Sequence, residues 1–164
     1  MNGLLIGRFQ PFHLGHLDAV LFGLSRTENL FIGIGSSNKS NENRNPFSAK
    51  ERREMIISSI EPSMAEQIKI FDIPDVGDHE KWAFEIDKIV PKYDVVFTND
   101  EFTQTLFEKR EMNVIPVVLK DREKFSGTNI RNLIIEDKNW WDLVPQGTRN
   151  VLDSINAKER LKNL

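Results

Sequence analysis

The chain has 164 residues and not one cysteine. Disulfides, thiolate nucleophiles and cysteine-based zinc sites are therefore excluded. Positive charge is also scarce: 22 lysines and arginines stand against 25 carboxylates, for a net charge of −3. A general nucleic-acid coat carries a basic excess, so no nucleic-acid partner is expected. Any anion site has to be built from particular arginines rather than from bulk charge. No apolar run approaches the roughly 20 residues of a membrane span, and no basic segment precedes the apolar run after Met1. The expectation is a cytoplasmic protein without leader or membrane helix.

What remains is an ordinary globular balance, 39% hydrophobic and 29% charged. The length fits one domain over residues 1–164 with a real core. Only three histidines occur, and two of them, His13 and His16, share one stretch. There a short apolar run ends in Gly7 and reads as the first strand of a buried sheet. A Phe9-Gln10-Pro11-Phe12 loop follows, which Pro11 is expected to hold extended. His13, Gly15 and His16 then open a helical pattern with Leu17, Val20, Leu21 and Leu24 on one face. Two imidazoles and the Arg8 guanidinium thus meet at a strand-to-helix junction, where free N–H groups and the helix dipole favour an anion. The reading is a phosphate site.

Along the chain, strand-like and helix-like segments alternate. Strands are expected at 30–35, 67–73, 94–98 and from Val114 to Leu119. Helices are expected at about 15–25, 49–60, 80–90 and 102–108, the second opened by a Ser48/Glu51 capping box. Beyond Leu119 the pattern is helical only, at 128–135, 140–143 and 146–155. This predicts an α/β fold: a Rossmann-like, doubly wound parallel sheet of about five strands over residues 1–122, with a helical C-terminal cap over 123–164. In such sheets ligands bind beyond the carboxyl ends of the strands. The segments there hold Arg8, His13 and His16, then Arg44, then His79 and Trp82, then Thr98 and Asn99, then Ser126, Gly127, Thr128 and Arg131. Guanidinium, imidazole, hydroxyl and amide donors outnumber carboxylates along that edge. The set suits a polyphosphate rather than a metal cage, so no protein-held metal is expected.

Gly-Arg-Phe-Gln-Pro-Phe-His-Leu-Gly-His (7–16), followed late by Ser-Gly-Thr-Asn-Ile-Arg (126–131), resembles the HxGH nucleotidylyltransferase superfamily. The chain is most similar to its archaeal-type nicotinamide mononucleotide adenylyltransferases. They share an Arg44-Asn45-Pro46-Phe47 loop, an Ile73-Pro74 segment followed by Trp82, and a tail like Asn139 to Pro145. The resemblance covers nearly the whole chain. It implies that ATP and nicotinamide mononucleotide give NAD and pyrophosphate, with Mg²⁺ on the ATP phosphates and a homo-oligomeric, even hexameric, assembly. His16 would donate to the α-phosphate and His13 would help hold the phosphates, both as charge-neutralising donors rather than bases. Arg8, Arg44 and Arg131 would pair with phosphates. Gly7 and Gly15 would admit the nucleotide, with Phe9, Gln10, Ser126, Gly127 and Thr128 also at the nucleotide. Trp82 has two readings: a stack on the cationic nicotinamide ring, or packing with Phe84 and Ile86. Arg52 would be structural, tied to neighbouring carboxylates. The chain departs from the pattern at Gly77-Asp78-His79, where asparagines are expected, which leaves nicotinamide and nicotinate mononucleotide both open.

Overall fold

The computed structural model describes residues 1–118 and 121–164. Five strands, β1 (Asn2–Gly7), β2 (Asn29–Ile34), β3 (Ile68–Asp72), β4 (Val95–Thr98) and β5 (Asn113–Pro116), form one sheet. Their order is β3-β2-β1-β4-β5, and every neighbouring pair is parallel. The first strand is therefore the middle of the sheet. The doubly wound α/β architecture expected from the alternating pattern is present.

Alternation along the strands sorts their side chains onto two faces. Leu5, Ile32, Val95 and Phe97 pack beneath α1 (Leu14–Arg26), α2 (Ala49–Ser59), α6 (Gly127–Ile135), α7 (Gln146–Ser154) and α8 (Ala157–Lys162). On the other face Leu4, Phe31 and Val96 meet Ile86 of α4 (His79–Ile89) and Phe107 of α5 (Glu101–Lys109). Both faces of the central strands are covered, as a parallel sheet requires.

Several boundaries differ from the sequence pattern, for local reasons. β5 stops at Pro116, opposite the last residue of β4, its neighbour; the strand end expected at Leu119 lies outside the described residues. α3 (Pro62–Ala65) occupies what reads as a break, with Pro62 at a helix start, where its missing N–H costs nothing. The 140–143 segment is a 3₁₀ turn over Trp141–Leu143. Asn156 is left-handed (φ 52°), which turns the chain after α7 and lets α8 begin. Glu51 completes the capping box of α2 with Ser48 and also takes two bonds from Arg160 of α8, at 2.6 and 2.8 Å. The C-terminal cap is thereby pinned to the start of α2. No helix among the described residues is long and apolar enough to cross a membrane.

Candidate active site

β1 and β4 lie side by side, but the chain leaves them towards opposite faces of the sheet, into α1 and into α5. Their carboxyl ends therefore part, and this is the point at which doubly wound sheets bind ligands. A cavity of about 590 Å³ opens there, lined among others by Gly7, Arg8, His16, Thr98, Ser126, Gly127, Thr128 and Arg131. A second cavity of about 430 Å³ adjoins it, and Asp75, Trp82 and Thr103 belong to both walls. The site is a two-compartment crevice.

The two histidines are held by each other. His13 is the N-cap of α1, and its Nδ1 accepts the His16 N–H at 3.2 Å. His16 Nδ1 in turn accepts the His13 N–H at 3.2 Å. The rings stack with centroids 3.6 Å apart. It is a capping box made of two imidazoles. With each Nδ1 serving as acceptor, the neutral ring must carry its proton on Nε2. Burial pushes the His13 imidazole down to about 4. Burial, and then the neighbouring His13, hold His16 well below the usual histidine range. Both rings are therefore neutral at pH 7, which corrects the expectation of charge-neutralising histidines. His16 on the cavity wall can donate one Nε2–H bond to an anion; the positive charge must come from arginine. His13, 3% exposed, lies beneath the wall as the helix cap, not at its surface.

A measurable consequence follows for stability. Between pH 6.5 and 4 the unfolded chain protonates a histidine that the folded chain keeps neutral at His13. The unfolded state then binds more protons, so stability falls as pH is lowered through that window. The His13 contribution approaches about 3 kcal/mol at its acid limit. Urea midpoints measured at pH 7, 6 and 5 should fall steadily; a flat profile would overturn the assignment.

Arginine is supplied from three segments. Arg8 follows β1, Arg131 sits in α6, and Arg122 joins them on the cavity wall from the segment before α6. Sequence reasoning missed Arg122, which stands among the charged residues Asp121, Glu123 and Lys124. Arg131 is held below its ordinary value by burial, then by Arg8 and Arg44. That repulsion between like charges is relieved when an anion arrives. Arg44 itself is exposed and does not line the cavity, although its field reaches Arg131. Ser126 caps α6 through its Oγ, which accepts the Asn129 N–H at 3.1 Å. The first turns of α1 and α6 contain no carboxylate, so both helix starts remain available to an anion.

Other residues on the expected list carry the frame. Gln10 is buried, and its amide pairs with both backbone groups of Phe47, donating to the carbonyl at 3.1 Å and accepting the N–H at 3.0 Å. The Gln10 carbonyl accepts from Arg131 Nη1 at 2.7 Å. One residue therefore joins the first motif, the Arg44–Phe47 loop and the late motif. The loop is not extended as expected: the Gln10–Pro11 bond is cis and Phe9 is left-handed (φ 53°). A left-handed non-glycine residue costs about 1–2 kcal/mol. Burying a phenylalanine, as at Phe9, returns about 1.5–3 kcal/mol. The Phe9 ring fills the space over Gly7, where an added Cβ would lie 2.8 Å from it, and the His13 ring fills that over Gly15. The Cβ side of both glycines is thus filled by the protein's own rings, while Gly7 also lines the cavity.

Arg52 is structural, but its partners differ from those expected. It is fully buried and donates to five backbone carbonyls, those of Ser48, Arg8, Gly35, Ser36 and Lys39, at 2.7 to 3.4 Å. Burial pushes it down to about 10, still far above neutral pH. It ties the end of β1 to the loop after β2, and so sets where Arg8 stands.

Trp82 packs into the core and also stands on the crevice wall. One edge packs on Phe107, ring centroids 6.4 Å apart, while the residue also lines both cavities. The expected packing with Phe84 is absent, since Phe84 points outwards at 61% exposure. His79, expected in the loop, opens α4 behind the Asp78 cap and lies 4.3 Å from the Phe102 ring.

Parallel-sheet topology, an HxGH junction at the central strand and a cationic crevice at the switch point define a nucleotidylyltransferase-type site. The chain belongs to the cytidylyltransferase-like family, whose pattern matches residues 4–133. Among relatives, a nicotinamide-nucleotide adenylyltransferase of Thermococcus sibiricus is 38% identical over 100% of this chain and 89% of its own length. In structure the chain is similar to a bifunctional NMN adenylyltransferase/ADP ribose pyrophosphatase of Francisella tularensis (TM-score 0.84, 24% identity, 99% of this chain). The match spans about half of that protein, 52% of its chain. A second structure of it, complexed with AMP and a manganese ion, superposes with TM-score 0.77 at 19% identity over 98% of this chain and 51% of that one.

Proposed function

We propose that this chain transfers the adenylyl group of ATP to nicotinamide mononucleotide, giving NAD and pyrophosphate. One observation carries the reading: a cradle of Arg8, Arg122, Arg131 and His16 opens at the switch point onto a compartment walled by Trp82. The first half suits a triphosphate and the second a flat ring. The relatives over the full chain are named for the same reaction.

In this mechanism an oxygen of the acceptor's 5′-phosphate forms a bond to the α-phosphorus while the bond from that phosphorus to the β-bridging oxygen breaks. The electron pair leaves with pyrophosphate. A phosphate monoester is already anionic near neutral pH, so no general base is needed. The residues act by position and field. His16 donates its Nε2–H to an α-phosphate oxygen, and Arg8, Arg122 and Arg131 take up charge along the chain of phosphates. Arg44 reaches the leaving end from its exposed loop. Ser126, Gly127 and Thr128 present the α6 start to the nucleotide.

Among the described residues no group of three or more carboxylates and imidazoles could hold a metal. That donor set fits Mg²⁺ carried on the triphosphate, with oxygen ligands from substrate and water. When bound, the ion neutralises the departing pyrophosphate. The whole of 1–164 is taken as the catalytic unit, in the cytoplasm and as a homo-oligomer.

Pyrophosphate release from ATP and Mg²⁺ with a panel of phosphate acceptors tests the reaction. Release only with another acceptor would overturn the reading. Calorimetry with ATP and Mg²⁺ tests the cradle: Arg131→Ala should weaken binding about 10- to 100-fold, the worth of a charge-assisted bond. Unchanged affinity would remove Arg131 from it.

A further inference from the structure

Arg44 is carried by a tight hairpin turn, Asn41 to Pro46, in the segment between β2 and α2. The Glu42 N–H donates to the Asn45 carbonyl at 3.2 Å, and the Asn45 N–H returns to the Glu42 carbonyl at 3.1 Å. The Asn41 N–H closes the turn on the Pro46 carbonyl at 3.2 Å. Residues 41–44 are exposed, so the tip that bears Arg44 is not packed into the core. An isolated hairpin is marginal in water at best. This one also buries Asn45 Oδ1 with no hydrogen-bond partner among the described residues, a further cost. Its hold comes from outside. Phe47, just beyond the turn, is fixed by the Gln10 amide, but the root of the turn rests on α8. There the Pro46 carbonyl takes a second bond, at 3.2 Å, from Arg160 Nη1. The same guanidinium grips both Glu51 oxygens, at 2.6 and 2.8 Å. Glu51 Oε1 in turn accepts the Ser48 N–H at 2.8 Å. Ala157 and Leu161 bury α8 in the main core, so Arg160 acts from a fixed platform. With the turn held in this way, the charge of Arg44 is already felt by Arg131.

We propose that Arg160 is a positioning residue for the transfer: its fork holds the root of the turn and so sets Arg44 against the β- and γ-phosphates of ATP. This rests on the adenylyl transfer proposed above. Arg160 does not line the crevice and acts only through Arg44. Without the fork, Arg44 sweeps a wider arc, and the nucleotide itself has to order the turn, at a cost in affinity.

Calorimetry with ATP and Mg²⁺, and separately with AMP, reads the effect without turnover. Arg160→Met should weaken ATP binding about tenfold, roughly the worth of one charge-assisted hydrogen bond. AMP lacks the β- and γ-phosphates, so its affinity should be unchanged. In an Arg44→Ala background the same substitution should cost nothing further, because residues that act as a unit are not additive. Arg160→Lys keeps a cation on Glu51, and with it the C-terminal cap, but lacks the fork. It should show a smaller loss for ATP, again only while Arg44 is present, and it carries the test where the methionine variant does not fold. Wild-type ATP affinity in every folded variant, an equal loss for AMP, or a full further loss in the Arg44→Ala background overturns the positioning by Arg160 and leaves adenylyl transfer standing. No pyrophosphate release by the wild type with any phosphate acceptor overturns adenylyl transfer itself, and the positioning with it.

Discussion

His16→Ala should lower turnover by about 10²- to 10³-fold, the usual loss when one preorganised donor to developing charge is removed. His16 lies on the cavity wall at the first turn of α1. Its Nδ1 is occupied by the His13 N–H, so its one free donor, Nε2–H, is aimed by the backbone rather than by a flexible partner. The group is neutral at pH 7, so the loss comes from a directed hydrogen bond, not from a missing charge. The rate should accordingly vary little with pH above 7. The variant should stay folded, because the deletion costs only half of the double cap, about 1 kcal/mol. Circular dichroism and single-turnover rates check both statements. A near-wild-type rate would remove His16 from the mechanism.

Arg52→Met should destabilise the protein by about 3–5 kcal/mol. The methionine fills a similar volume and buries apolar atoms, but five carbonyls lose a guanidinium donor at once, and only those of Ser48 and Ser36 keep a backbone N–H, from Arg52 and Lys39. Each orphaned buried carbonyl costs about 1–3 kcal/mol, and part of the cost is recovered where water reaches the loop. Arg52→Lys should recover part of the loss, since an ammonium brings three donors and lacks the planar fork. Urea denaturation of both variants against wild type measures this. A loss under 1 kcal/mol in the methionine variant would show that the loop holds itself without Arg52.

Much of the fold was legible because its strands are short apolar runs and its helices carry a 3.6-residue pattern. Caps at Ser48 and Ser126 also announced themselves through their residue types. The cap at His13 did not, because a histidine becomes an acceptor only when its neighbour's N–H meets Nδ1. Arg52 was readable as structural, yet its partners were not. Four carbonyls from positions 13 to 44 residues away leave no trace in side-chain chemistry. Gln10 was placed at the nucleotide by its motif and does line the crevice, but the bonding of its amide to Phe47 was not readable. Arg122 was missed because a lone arginine between charged neighbours looks solvated until the chain brings it to the crevice.

Placing the first strand at the centre of the sheet has a consequence for synthesis. β1 can pair with β2 once residue 34 has left the ribosome, but its other edge waits for β4 at residues 95–98. A nascent chain of intermediate length thus presents an unpaired, apolar strand edge, the kind that recruits other chains. Arg131 arrives later still, so the sheet closes before the crevice is complete. Truncated chains ending near residue 90 should be the aggregation-prone lengths, and those reaching past 116 should not.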